Sequence, residues 1–180
     1  MQIFNRHSLI LTRLAISVVV LSFSEKIQAG EPELSLFGLK LAEKADSSNW
    51  EVLTPHLYIP DPIPDPVPYL DVYKIGLSTD GLIQLIQGSR NRLEYLDGIV
   101  KFNELLAHYS ELFGPVEPKT ETDVEVENQV YIWDLKDNRK LSLSYWAFTY
   151  TSDLAGQPKS EEKEVSIYIN MVDKALAPRK

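Results

Sequence analysis

The stretch "IPDPIPDPVP", residues 59–68, places a proline at every second position. Each proline fixes φ near about −65° and removes a backbone donor, so the segment can be neither a helix nor a central strand. It is expected to be extended, at roughly 3.1 Å per residue in a polyproline conformation. Ile59, Ile63 and Val67 recur every four residues, whereas a polyproline helix turns every three, so their side chains do not form the single stripe that a groove-binding ligand presents. The expectation is a strut that crosses a domain edge and delivers the chain into its first strand. A contact with a partner through Asp61 and Asp65 is the alternative.

Ahead of the strut, the sequence begins with the pattern of a removable signal peptide over residues 1–29. Arg6 and Arg13 make a basic start, "LAISVVVLSF" (Leu14 to Phe23) is the apolar run, and Ala29 offers a small residue before the cut. A membrane span needs about 20 predominantly apolar residues, and Arg13 bounds this run too early, so no membrane span is expected after cleavage; an uncleaved anchor is the alternative. The expected address is the periplasm or the extracellular space. Cleavage would leave 151 of the 180 residues, enough for a single core without staples, and there is no Cys to form a disulfide or carry a lipid. The leader holds three of the 18 Lys and Arg and one of the 26 Asp and Glu, so the remainder carries a net charge of −10. Such a field disfavours nucleic acid and anionic lipid and suits solubility or a basic protein partner.

Residues 30–69 read as a docked N-terminal segment followed by the strut, and 70–180 as an α+β domain, the whole of 30–180 folding as one unit. "YLDVYKIGL" and "LIQLIQG" are two strand-like runs separated by "STDG", in which Asp80-Gly81 is a hairpin signal. In "DGIVKFNELLAHYSELFGP" (97–115), Phe102, Leu105, Leu106, Tyr109, Leu112 and Phe113 recur at helical spacing. Asp97 can cap the start, while Gly114-Pro115 stops the end. After the acidic connector "VEPKTETDVEVEN" come "QVYIWDL" and "KLSLSYWAFTY", joined across "KDNR", and then "EVSIYINMV" beyond the polar loop "SDLAGQPKSEEK"; the tail "DKALAPRK" reads as a frayed end. The order β-β-α-β-β-β with tight turns predicts a two-layer fold: an antiparallel sheet of about five strands with one long helix on one face.

On this plan the β-branched residues Val130, Ile132, Val165, Ile167 and Ile169 face the helix. The opposite sheet face then receives Tyr131, Trp133, Trp146, Phe148, Tyr150 and Tyr168 as candidate partner-binding residues, because large exposed aromatic patches mark interaction sites. Two other arrangements bury these rings. A bulge near Tyr145 would switch the strand's parity, and the segment Leu34 to Leu53, with Phe37 and Trp50, could fold over the face.

Catalytic chemistry finds little support in the sequence. Glu104, His108 and Glu111 share a helix face and could in principle ligate a metal, but that face lies opposite the apolar stripe and defaults to a solvated surface. His56 has no evident partner. There is no Gly-rich phosphate loop, nucleophile elbow or paired metal motif, and no catalytic, cofactor-binding or metal-binding residue is assigned.

"LFGLKLAEK", "PDPVPYLDVYKI", "GLIQLI", "FNELLAHYSELFGP" and "YIWDL" with "LSLSY" together resemble small exported bacterial proteins of unassigned function. Those open with a Phe-Gly-x-x-Leu-Gly element and end a central helix in Tyr-Gly or Phe-Gly; here Ala42 stands at the second glycine position. The resemblance implies an α+β fold, no activity and no functional residue. The functional expectation is an exported binding protein for a protein partner, of an inhibitor, immunity or envelope-associated kind. A hydrolytic or metal-dependent enzyme and a structural factor of envelope assembly are the alternatives.

Overall fold

The tight-turn signals and the helical stripe set the order of elements. The computed structural model describes residues 35–122, 126–152 and 160–176; the expected signal peptide, most of the polar loop after the fourth expected strand and the last four residues lie outside them. Two short strands, β1 (Ser35–Leu36) and β2 (Leu39–Lys40), form a hairpin of their own. They are followed by β3 (Glu51–Thr54), β4 (Leu57–Ile59), β5 (Val72–Leu77), β6 (Ile83–Glu94), the helix α1 (Tyr95–Phe113), β7 (Lys119–Thr122), β8 (Val126–Asp134), β9 (Arg139–Ser152) and β10 (Ser160–Asp173). Eight strands make one antiparallel sheet in the order β3-β4-β5-β6-β10-β9-β8-β7.

The expected sheet of about five strands is too small. All five expected strands are present, as β5, β6, β8, β9 and β10, and β3, β4 and β7 extend the two edges. The edge strands β3 and β7 have only one neighbour and need not bury a face, so they lack the alternation that marks a strand in sequence, and β4 is only three residues long. All four residues of β3 are exposed, and β7 lies inside what reads as an acidic connector.

Helix α1 packs on β6, β9 and β10 through Phe102, Leu105 and Tyr109, all buried. It starts two residues before Asp97: Glu94 is the cap, accepting from the Asp97 amide at 3.2 Å, and Asp97 falls in the first turn. Gly98 permits the close approach, since a Cβ there would lie 2.8 Å from the Cβ of Val165 on β10. Inserted between β6 and β9, β10 is the strand whose core-side residues are most completely buried: Val165, Ile167, Ile169 and Met171 have no accessible surface.

The proline stretch is not a straight rod. It bends twice, the Asp61–Pro62 peptide is cis, and the chain turns again at Pro68-Tyr69. Its anchors explain the shape. The Asp65 amide donates to the Phe37 carbonyl (3.1 Å), the Tyr73 hydroxyl donates to the Val67 carbonyl (3.1 Å), and Ile63 and Val67 pack against the core. The segment is a bent strap on the helix side of the sheet, and it links β4 to β5 rather than delivering the chain into a first strand.

Candidate functional site

Strand pairing decides which aromatics share a face, because residues directly opposite one another in neighbouring strands point to the same side. Trp133 lies opposite Leu141 and Tyr131 opposite Leu143, both of which belong to the buried helix side. Trp133, buried, and Tyr131, half-buried, therefore belong to the helix layer rather than to the outer face. Tyr131 packs on Phe102 at 5.7 Å between ring centroids, and Trp133 on Tyr109 at 6.3 Å. The β-branched Val130 and Ile132 take the outer side instead. Phe102 and Tyr109 of the helix meet these two rings of β8, the strand next to the edge, and the Gly114 carbonyl at the helix end accepts from the Trp133 indole.

The other four expected residues stay together. Trp146, Phe148 and Tyr150 project from β9 and Tyr168 from β10, all on the side away from α1. Neither the β8–β9 nor the β9–β10 register shifts, so no bulge interrupts Tyr145. The described part of the N-terminal segment does not fold over this face either. Phe37 packs on Tyr73 (4.9 Å) and Trp50 on Tyr58 (6.3 Å), both on the helix side. Trp146 is 36% and Tyr150 46% exposed, while Phe148 and Tyr168 are half-buried.

Around these rings the face has a consistent construction. One row crosses five strands as Val130, Ser144, Tyr168, Ser89 and Val72; the next runs Ile132, Ser142, Asn170, Gln87 and Lys74. Serines thus form much of the floor, with aromatic and branched residues standing above it. Trp146 is flanked across the strands by Asn128 and Ser166, each buried despite its short side chain, and Asn128 Oδ1 has no hydrogen-bond partner among the described residues. Tyr168 is held by its hydroxyl, which donates to Asn91 Oδ1 at 2.9 Å. Val130, Ile132 and Asn128 are the members that sequence reading missed. The available signal was the pairing of β8 with β9 across the "KDNR" turn, which puts Trp133 in register with Leu141.

On the helix side, the chemistry-bearing constellation is Glu127 with Tyr145 and Lys163. The Tyr145 hydroxyl donates to Glu127 Oε1 at 2.6 Å, Lys163 Nζ meets Oε2 at 2.8 Å, and the ammonium sits 4.1 Å from the centre of the Tyr95 ring. The hydrogen bonds from Lys163 and then Tyr145 lower the Glu127 pKa, the bond to Glu127 raises that of Lys163, and burial followed by the Glu127 bond raises that of Tyr145. Each shift stabilises the protonation state the group already holds at neutral pH, so none is poised for proton transfer there. The trio ties β8, β9 and β10 to the start of α1. Elsewhere, Glu104 and His108 border a groove beside the strap, and Glu111 is exposed. Among the described residues no group of three His, Cys, Asp or Glu is placed to hold a metal ion, and no helix is long and apolar enough to cross a membrane.

No family model, no curated protein and no solved structure matches this chain. The functional reading therefore rests on the geometry of the sheet's outer face.

Proposed function

We propose that this is an exported binding protein that docks a protein partner on the outer face of its sheet, centred on Trp146, Phe148 and Tyr168. The observation that carries the reading is the exposure of Trp146 and Tyr150 beside half-buried Val130, Ile132, Phe148 and Tyr168 on one continuous side of the sheet. Aromatic anchors over a small-residue floor suit a broad macromolecular contact, in which a few large side chains supply most of the binding energy. The unpaired Asn128 acceptor beside Trp146 supports the same reading, since a buried unsatisfied acceptor costs about 1–3 kcal/mol and a partner donor that reaches it would relieve that cost. The leader pattern supports export, and the acidic charge favours a protein over nucleic acid.

The test compares what the protein captures from envelope extract with and without the face. A partner held by the unaltered chain and by Leu96→Lys, a change on the exposed side of α1, but lost by Trp146→Lys with Phe148→Lys, supports docking on the sheet. Equal capture by both variants sinks it. Loss of the partner at high salt with the face variants unaffected moves the contact to the acidic loops.

A further inference from the structure

A groove lies on the opposite side of the sheet and owes nothing to the outer face. The strap residues Asp65–Tyr69 run beside the second half of α1, and between them opens a groove of about 560 Å³. That volume falls in the range of small-molecule sites. Its walls are apolar: Leu36 and Phe37 from the β1–β2 hairpin, Leu105, Tyr109 and Phe113 from the helix. Its polar groups come from both banks. Asp65 comes from the strap and Glu104 from the helix, with His108 one turn further along. Both carboxylates act on the groove's phenols: after burial, Glu104 raises the pKa of Tyr69, and Tyr69 and Asp65 raise that of Tyr109. Among the described residues Lys101 offsets part of this charge, lying 3.6 Å from Glu104 and 5.3 Å from the centre of the Tyr69 ring. Asp65 has no such ion pair among the described residues.

From this arrangement we infer that the groove between strap and helix binds a small amphipathic cation, an apolar body carrying an ammonium or guanidinium head, with the body against Leu105 and Tyr109 and the head between Asp65 and Glu104. An anionic amphiphile of the same length meets two carboxylates at the same mouth, so the sign of the head group is the discriminating feature. The floor is connected to a built-in reporter: Tyr109 packs on Trp133, whose indole donates to the Gly114 carbonyl beside Phe113.

The experiment is an NMR titration of the three tryptophan indole N–H signals with octylammonium, octanoate and octanol. Octylammonium is expected to shift the Trp133 signal saturably, with an affinity at least tenfold above octanoate, and to leave Trp146, on the other sheet face, in place. Leu112, exposed at the groove's rim, provides a variant that does not disturb the core. Leu112→Arg should abolish the octylammonium response, and Asp65→Asn with Glu104→Gln should erase the preference over octanoate. Equal binding of ammonium and carboxylate, no saturable shift with any probe, or a response untouched by Leu112→Arg each overturns the proposal. A shift confined to Trp146 does so as well, since it places the probe on the sheet's outer face.

Discussion

The indole Nε1 of Trp133 donates to the carbonyl of Gly114 at 2.7 Å, joining strand β8 to the residue that ends helix α1. The bond satisfies one of the carbonyls that a helix end leaves unpaired, and it fixes Trp133 at 2% exposure. Trp146, thirteen residues on, lies on the opposite side of the sheet at 36%. The two tryptophans should therefore respond oppositely to truncation. Trp133→Ala is expected to cost about 3–5 kcal/mol, as large aromatic-to-alanine changes in cores do. Trp146→Ala should stay within about 1 kcal/mol. Urea unfolding of the two variants decides it, and comparable losses would mean that the outer face is part of the core.

That contrast shows where the sequence was legible. The helix, its stop and five of the six interior strands could be read because each buries a stripe or a face, and burial writes a period into the sequence. The side taken by β8 could not be read from its own residues. "VYIW" alternates two branched with two aromatic side chains, and either pair can be core. Only register against Leu141 and Leu143 resolves the choice, and register is a property of two strands. The same holds for Phe37, whose ring reaches the core only because the Phe37-Gly38 turn places both residues at positive φ. The strap's bends, likewise, are set by Phe37 and Tyr73, neither of which belongs to it.

Ala42 is the next test. It occupies the position where the resemblance to small exported proteins calls for glycine, and its φ is +66°. An L side chain there works against the backbone, while the Ala42 amide is held to the Ile83 carbonyl at 2.8 Å. Ala42→Gly should relieve the strain and stabilise the protein by about 0.5–1 kcal/mol, net of the added freedom of the unfolded chain. A rise of a few degrees in Tm is the expected reading; a fall would show that the conformation is not strained.

The Glu127–Lys163 pair predicts a pH dependence with a definite sign. Glu127 has a lowered pKa in the folded state, so its contribution is complete above the unfolded value of about 4.3 and is lost as pH falls through the folded one. Lys163 is raised, so its contribution is complete below about 10.4 and is lost as pH rises through the folded value. Both side chains are about a third exposed, and screening holds the pair to about 1 kcal/mol or less. Glu127→Gln should lower stability by a constant amount between about pH 5 and 9, and converge on the unaltered protein as pH drops below about 4. Urea midpoints across that range check it. A gap that persists at low pH would assign the effect to packing instead.

Gly88 and Phe37 provide the sharpest test of how the N-terminal hairpin is seated. A Cβ on Gly88 would fall 2.4 Å from Phe37 Cζ and 2.9 Å from Leu70 Cδ1, so the ring occupies space that only glycine leaves. Gly88→Ala alone should cost about 1–3 kcal/mol through overpacking. Phe37→Leu alone should also destabilise, by loss of the edge contact with Tyr73 and of buried ring surface. Combined, the new methyl fits the space the smaller side chain vacates, and the double variant should be more stable than the sum of the single losses by about 1 kcal/mol. Strict additivity would mean that the ring can move aside at no cost. The hairpin would then be a loose cover on the sheet, and the strap anchored to the Phe37 carbonyl would lose its fixed position beside α1.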